Sequence, residues 1–165
     1  MQSEFDVIRR CTKSAPVDIV GLAESLGLRV LGIRLPENVS GKLLRTPAGY
    51  EIHFNRDHGS NRIRFTVAHE TAHYILHRDK IESEVVDDEW YRSTLFAGTK
   101  FETQANSYAA ELLMPRELVV ARYERHASNG LDDRQITETM AREFEVSKDA
   151  MAIRLKVVVQ LPLAV

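Results

Sequence analysis

The sequence is poor in cysteine and contains no long apolar run. Cys11 is the single cysteine among 165 residues, so the chain can form no internal disulfide and holds no C-x-x-C pair for a metal knuckle. It has no run of about 18 apolar residues, the usual signature of a membrane-spanning helix. The first residues, Met1 to Glu4, lack the basic and apolar pattern of a secretory signal. A cytoplasmic location is therefore expected.

Charge of one sign is also not in excess. The chain carries 22 Lys and Arg against 24 Asp and Glu, which gives a formal net charge of −2. The overall charge therefore provides no electrostatic reason to expect nucleic-acid binding. With 44% hydrophobic and 28% charged residues, the composition is typical of a soluble globular protein. The length suffices for one well-buried core.

What the sequence does contain is one H-E-x-x-H pattern, formed by His69, Glu70 and His73. Apolar residues without Gly or Pro surround it and predict a helix over residues 65–77. Residues four apart share one face of a helix, so both imidazoles can reach one ion. Neutral imidazole is a good Zn²⁺ ligand, and Glu70 is placed to accept a proton from water that the ion activates. The alternative is a buried helix with incidental histidines.

A catalytic zinc site needs a third protein ligand and an open position. His77 is a tempting choice, but eight residues separate it from His69. On a continuous helix that places it about 12 Å further along the axis. We therefore expect His77 to pack or to cap the helix rather than to bind the ion.

Glu102 is the stronger candidate for the third ligand. It opens a second helix whose small-residue face can lie against the first, and Asn106, one turn later, could hydrogen-bond a ligating imidazole and fix its tautomer. The alternative is that Glu102 is a first-turn carboxylate favoured by the helix dipole. Glu111 projects about 180° away from Glu102, so the two carboxylates cannot both face the ion.

The remaining pattern predicts a small α+β domain. Strands are expected at residues 28–33, 42–45 and 50–54, the last two as a hairpin. Ser60 or Asn61 is expected to cap the metal-binding helix, and residues 79–89 to form a charged, solvated loop. Trp90, Tyr91, Leu95 and Phe96 should return the chain to the core, and the apolar tail 161–165 should pack down or extend into a partner. Helices are expected at residues 3–13, 16–26, 99–115, 115–127, 133–144 and 147–158.

Two stretches stand out when they are taken together. One reads Arg64-Phe65-Thr66-Val67-Ala68-His69-Glu70-x-x-His73, and the other reads Glu102-x-x-Ala105-Asn106-x-x-Ala109-x-x-Leu112-Leu113-Met114-Pro115. They resemble the ImmA/IrrE family of metallopeptidases, and the resemblance extends over nearly the whole chain. It implies a zincin-like core with His69, His73 and Glu102 as metal ligands and Glu70 as the base. Gln104 departs from it, because relatives often carry a second acid there.

The same resemblance implies a cofactor and a substrate. The cofactor is one Zn²⁺ ion, with Mn²⁺ as the alternative. The substrate is a helix-turn-helix transcriptional repressor, whose cleavage would release genes after stress or in a mobile element. Residues 1–130 would form the zincin-like metallopeptidase domain, and residues 131–165 a C-terminal helical extension packed on it or continuous with it.

Residues 136–155 can be drawn as a helix-turn-helix. Reading DNA would require a basic, exposed second helix. The basic side chains there, Lys148, Arg154 and Lys156, are offset by four acidic ones, which are Glu138, Glu143, Glu145 and Asp149. We therefore favour packing or repressor docking over direct DNA binding for this pair.

The predicted function is zinc-dependent hydrolysis of a peptide bond in the repressor. The strand at residues 50–55 is a candidate edge to which the substrate could add as a further strand. His53, Tyr74 and Tyr108 are candidates for stabilising the oxyanion. The alternative is a non-catalytic, metal-stabilised module that sequesters a repressor or forms half of a toxin–antitoxin pair. A third hypothesis is a DNA-binding regulator that uses the C-terminal helices.

Overall fold

The computed structural model describes residues 3–80, 84–88 and 100–159, and this part of the chain has an α+β architecture. A 3₁₀ turn at Arg78–Lys80 follows the third helix. The predicted return of Trp90 to Phe96 and the tail 161–165 lie outside the described residues. The strands are β1 Leu28–Ile33, β2 Val39–Thr46, β3 Gly49–Asn55 and β4 Glu84–Asp88. The helices are α1 Glu4–Cys11, α2 Ile19–Ser25, α3 Ser60–His77, α4 Lys100–Leu113, α5 Arg116–Ser128, α6 Asp133–Glu143 and α7 Lys148–Val158.

The four strands form one mixed sheet in the order β1-β3-β2-β4. β2 and β3 make the predicted hairpin, with Thr46 opposite Gly49. β1 runs parallel to β3 on its other side. The prediction that residues 50–55 form an edge strand was therefore wrong, because β1 already occupies the side of β3 on which a substrate strand would add.

β4 corrects a second prediction. The charged segment expected to be a solvated loop contains a strand that pairs antiparallel with β2, from Leu44 opposite Glu84 to Val39 opposite Asp88. The pairing uses main-chain hydrogen bonds, which acidic residues can make as well as apolar ones. Charged residues are common on edge strands because they prevent further pairing. A run of acidic residues was therefore a poor indicator of a loop.

Capping residues set the ends of the N-terminal helices. Asp18 caps α2 by accepting a hydrogen bond from the Gly21 N–H at 2.9 Å, so this helix begins later than the predicted Pro16. Leu26 is its C-cap, and Gly27 follows with a φ of 88°, the left-handed conformation that was predicted for this glycine. The predicted side-chain cap of α3 was wrong: Gly59 is the N-cap, without a side-chain hydrogen bond.

The hydrophobic core lies where α3 packs between the sheet and α4. Leu43 and Ile52 from the sheet and Ala68 from α3 are completely buried, and the same cluster continues into α4 and the last two helices. Gly41 allows the sheet and helix to approach closely. A Cβ at this position would lie 2.4 Å from Cγ2 of Thr66, which real Cβ atoms do not tolerate.

The C-terminal helices are joined to the same body. Arg64 of α3 donates to Val17 O at 2.9 Å and to Glu145 O, in the turn between α6 and α7, at 3.2 Å. Arg154 of α7 donates to Met114 O at 2.9 Å. These bonds hold the last two helices against the N-terminal half of α3 and the end of α4. Among the described helices, none has both the length and the apolar character needed to cross a bilayer.

Candidate metal centre

His69 and His73 lie one turn apart on α3 with their rings directed to the same place. Their Nε2 atoms are 3.0 Å apart, and the two residues are 2% and 3% exposed. The rings meet edge to face, with centroids 4.6 Å apart. The four-residue spacing therefore brings the two imidazoles together as the sequence predicted.

Glu102 reaches these histidines from α4. Its Oε1 lies 3.1 Å from His73 Nε2, and its Oε2 lies 3.3 Å from His69 Nε2. The approach is close because both helices bury alanines completely, namely Ala68 and Ala72 on α3 and Ala105 and Ala109 on α4. A carboxylate in the first turn of α4 can therefore touch both rings.

The spacing of these three donors fits a tetrahedral ion. With metal–ligand distances of about 2.0–2.1 Å, ligand atoms around tetrahedral Zn²⁺ lie about 3.3–3.4 Å apart. The two Nε2 atoms are 3.0 Å apart, and the two oxygens of Glu102 approach them at a similar spacing, Oε1 at 3.1 Å from His73 Nε2 and Oε2 at 3.3 Å from His69 Nε2. Two imidazoles and one carboxylate are a common donor set of catalytic zinc, with the fourth position open. His69, His73 and Glu102 could therefore hold one divalent ion.

The electrostatics of the cluster favour an ionised Glu102. Burial alone would raise the pKa of this carboxyl, but hydrogen bonds from His69 and His73, together with their charges, outweigh it. The pKa of Glu102 consequently lies well below its ordinary value. An ionised carboxylate is the form that can bind a metal ion, and the two imidazoles would have to be neutral to do so.

Glu70 follows the first ligand on the same helix. Its side chain is completely buried, although an ionised carboxylate is costly to remove from water. Because residues adjacent in sequence point about 100° apart around a helix, Glu70 lies beside the line of His69 and His73. Glu70 is therefore a buried carboxylate directly beside the three donors.

His77 continues the line of histidines but does not join the three donors. Its Nδ1 lies 3.2 Å from Nδ1 of His73, and its Nε2 lies 3.2 Å from Oε1 of Gln104. Its ring packs edge-on against Phe101, and burial lowers the pKa of the imidazole, with the Gln104 hydrogen bond opposing this shift. The prediction that His77 packs rather than ligates agrees with this placement.

Asn106 does not occupy the place that we predicted for it. Its side chain is exposed, and within the described residues it makes no hydrogen bond to either imidazole. Nδ1 of His73 instead faces His77, while Nδ1 of His69 is buried without a hydrogen-bond partner among the described residues. Sequence reasoning missed the pairing of His73 with His77, although their spacing of four residues on one helix was a usable signal.

The remaining sequence candidates lie elsewhere. Glu111 forms an ion pair with Arg154 and accepts a hydrogen bond from the Arg116 N–H at 3.0 Å, so it faces away from Glu102 as predicted. His53 pairs with Glu51 on the sheet at 2.9 Å. Tyr74 packs against Tyr50 and Arg78, and Tyr108 lines a cleft beside His77. None of these described contacts brings an oxyanion donor to the three metal ligands.

An apolar groove runs beside the cluster. It has a volume of about 600 Å³ and is lined by residues of α3, α4 and α7, among them Phe65, Asn106, Met114 and Ile153. The Phe65 ring lies 6.1 Å from the His69 ring. Ile153 and Val157 are 64% and 50% exposed, which is unusual for large apolar side chains that line the same concave surface.

Comparisons with known proteins bear on the family and the fold of this chain. A model of the peptidase M78 family, described as an IrrE N-terminal-like domain, matches residues 23–156. Among solved structures, a Mycobacterium tuberculosis transcriptional regulator is similar, with a TM-score of 0.61 and 17% sequence identity. The match covers 97% of this chain and 48% of the regulator, so this chain spans about half of the regulator's length. This likeness shows a shared fold. No curated protein matches the chain.

Proposed function

The chain belongs to the peptidase M78 family of IrrE N-terminal-like domains, and from this premise we propose that it is a zinc-dependent endopeptidase that cleaves a helix-turn-helix transcriptional repressor. The family membership confirms both the ImmA/IrrE resemblance and the predicted α+β zincin-like fold. The observation that carries the proposal is the convergence of His69, His73 and Glu102 on one point, at donor distances of 3.0–3.3 Å.

The proposed chemistry assigns a role to each of four polar residues at the candidate metal centre. His69, His73 and Glu102 would hold the ion, which when bound polarises the scissile carbonyl and makes water more acidic. Glu70 would take a proton from the attacking water and deliver it to the leaving amine. These roles account for a completely buried carboxylate at position 70. We propose Zn²⁺ over Mn²⁺, because two imidazoles and one carboxylate in tetrahedral spacing suit zinc better.

The groove beside His69 supports a peptide substrate. It offers an apolar surface that reaches the metal centre through Phe65, whose ring lies 6.1 Å from the His69 ring, and such a surface suits the side chain of an extended peptide. The repressor is proposed from the family membership; the fold shared with a transcriptional regulator is compatible with it. Cleavage in the cytoplasm would then release repressed genes, after stress or in a mobile element.

The C-terminal helices have a supporting role in this proposal. Residues 131–165 would form a helical extension of the zincin-like domain at residues 1–130 and would contribute α7 to the groove. We propose that they dock the repressor rather than DNA. Lys148 already pairs with Glu138 at 3.0 Å, and Arg154 with Glu111, which leaves less positive charge for phosphate contacts.

The test compares the wild type with the Glu70→Gln variant, each loaded with zinc and incubated with repressors encoded next to the gene. The substitution keeps the size of the side chain, and residue 70 is not one of the proposed ligands. The zinc content of the variant should therefore equal that of the wild type. Loss of the base should slow cleavage by about 10²–10⁴-fold. Mass spectrometry of the products would locate the cleaved bond, and elemental analysis would measure the bound metal.

Two outcomes would contradict the proposal. Cleavage by Glu70→Gln at the wild-type rate would exclude Glu70 as the base. Binding of an intact repressor by both proteins without cleavage would favour the non-catalytic module, whether a sequestering protein or half of a toxin–antitoxin pair. A parallel incubation with a chelator is included. Removal of zinc should abolish the cleavage products of a peptidase, whereas a non-catalytic module yields no cleavage products with or without zinc.

A further inference from the structure

Three side chains form a continuous hydrogen-bonded line that ends at a proposed metal ligand. Oε1 of Gln104 lies 3.2 Å from Nε2 of His77, and Nδ1 of His77 lies 3.2 Å from Nδ1 of His73. Nε2 of His73 in turn faces Glu102 and His69. The line therefore runs from an exposed position on α4, through a buried histidine, into the candidate metal centre.

The proton positions along this line are linked. A histidine can bind an ion through Nε2 only if that atom carries a lone pair, and the ring proton of a neutral imidazole is then on Nδ1. Nδ1–H of His73 must in that case donate to His77, so Nδ1 of His77 must accept. The proton of His77 is then on Nε2, where it needs an acceptor. The carbonyl oxygen of Gln104 is that acceptor.

We propose that Gln104 and His77 form a relay that fixes the ring of His73 in the tautomer and orientation needed to bind the ion. His77 is then a positioning residue, since it acts on the metal only through His73. The inference rests on the proposed metal site and extends it to two residues outside the ligand set. Partners that orient ligating histidines in this way change metal affinity by about 10–100-fold when they are removed.

The nature of residue 104 makes the relay testable. A glutamine amide carries an acceptor at one end and a donor at the other, so it can also turn its NH₂ group toward His77. That orientation would place the His77 proton on Nδ1 and oppose metal binding by His73. A carboxylate only accepts, so Gln104→Glu should hold the relay in the binding direction.

The first measurement is zinc affinity, determined by competition with a chromophoric chelator. Gln104→Leu should weaken zinc binding by about tenfold, whereas Gln104→Glu should bind at least as tightly as the wild type. Position 104 is exposed and borders a cleft of about 690 Å³, so leucine fits there without disturbing the core. Ser107→Leu is the matched control, since Ser107 is exposed and borders the same cleft. It should leave the affinity unchanged.

Substitutions at His77 test the middle of the relay. His77→Phe fills the space against Phe101 but leaves Nδ1–H of His73 without an acceptor, so zinc affinity should fall by about 10–100-fold. His77→Gln restores an acceptor and should recover most of the loss. Thermal unfolding of the metal-free variants checks that each one folds. If His77→Phe does not fold, the two substitutions at the exposed position 104 decide the question.

The second measurement locates the proton of His77 directly. In the zinc-loaded protein, ¹⁵N chemical shifts of the His77 ring should show protonation at Nε2 and a free lone pair at Nδ1. A purely structural role for His77 predicts no particular tautomer. Protonation at Nδ1 would overturn the proposal, and so would wild-type zinc affinity in both Gln104→Leu and His77→Phe.

Failure of the relay and failure of the metal site give different results. If the wild type binds zinc tightly and the relay variants bind it equally well, only the relay is wrong. If the wild type binds no zinc, the proposed peptidase and the relay are both wrong. His69→Ala provides the reference for a damaged site, because it removes a ligand and leaves the relay in place.

Discussion

The interface between α3 and α4 and the pair formed by α6 and α7 bury side chains of opposite character. The helical pair is filled by apolar residues, and Met140, Phe144 and Met151 are completely buried in it. The α3–α4 interface buries His69, Glu70 and His73 to 3% exposure or less. Burial of apolar groups is favourable, whereas burial of polar groups costs free energy. The α6–α7 pair therefore stabilises the fold through apolar burial, whereas the α3–α4 interface combines completely buried alanines with buried polar side chains that cost free energy.

The two regions also differ in how the N-termini of their helices are capped. Asp132 and Gln135 form a reciprocal capping box at the start of α6, with hydrogen bonds of 2.8 and 3.0 Å. Ser147 caps α7 by accepting from the Ala150 N–H. The start of α3 has no side-chain cap. The position of α3 thus depends on packing, whereas the C-terminal pair is also encoded by local signals.

The largest change in the free energy of unfolding should come from a substitution in the apolar α6–α7 pair. Phe144→Ala removes a completely buried aromatic side chain and should lower the free energy of unfolding by about 3–5 kcal/mol. Denaturant titration of the metal-free protein measures this change. Zinc affinity of the molecules that remain folded should match the wild type, because Phe144 belongs to the apolar core and takes part in none of the described hydrogen bonds, ion pairs or ring contacts of the three proposed ligands. A tenfold loss of affinity would contradict the separation of the two regions.

The second-largest change in the free energy of unfolding should come from zinc binding. Zinc at about 100 times its dissociation constant should raise the free energy of unfolding of the wild type by about 2.7 kcal/mol. Glu102→Ala removes the carboxylate that contacts both histidines, so this increment should disappear. Thermal unfolding with zinc and with chelator provides the measurement. Glu111→Ala is the control on the same helix and should retain the zinc increment; equal loss in both variants would exclude Glu102 as a specific ligand.

A smaller effect should follow from closing the gap between the sheet and the metal-binding helix. Gly41→Ala places a Cβ 2.4 Å from Cγ2 of Thr66, and such overpacking typically costs about 1–3 kcal/mol. Thr66→Ser removes that methyl group, so the double variant should regain part of the loss. The free energy of unfolding of both single variants and the double variant tests the contact. Simple additivity of the two single effects would show that the residues do not interact.

Sequence reasoning succeeded where the deciding interactions are local. The spacing of His69 and His73 follows from helix geometry, and the angle between Glu102 and Glu111 follows from their separation along one helix. Gly27 and Ser147 mark helix ends through properties of single residues. Each of these predictions needs only a few neighbouring residues, and each agrees with the structure.

Three of the wrong predictions depended on partners distant in sequence, whereas the side-chain cap of α3 and the start of α2 were wrong for local reasons. Residues 50–55 look like an edge strand until β1 is known to pair with them. The acidic segment that contains β4 looks like a loop until its antiparallel pairing with β2 is known. Asn106 was expected to hydrogen-bond a ligating imidazole, but its side chain is exposed, and Nδ1 of His73 faces His77 instead. Pairing of strands and rotation of side chains between helices are set by tertiary packing, which a single sequence does not display.

The smallest effect tests whether the local signals of the C-terminal pair act independently of the metal site. Asp132→Ala removes the side-chain acceptor of the capping box and should lower the free energy of unfolding by about 1 kcal/mol. Asp132→Asn keeps an acceptor oxygen and should restore most of this loss, which separates the cap from the charge. Zinc affinity should be equal in all three proteins, because the capping box contacts neither α3 nor α4 in the described structure. A change in affinity would mean that α6 is coupled to the ligands through the Arg64 contacts, and the two regions could then no longer be treated as separate.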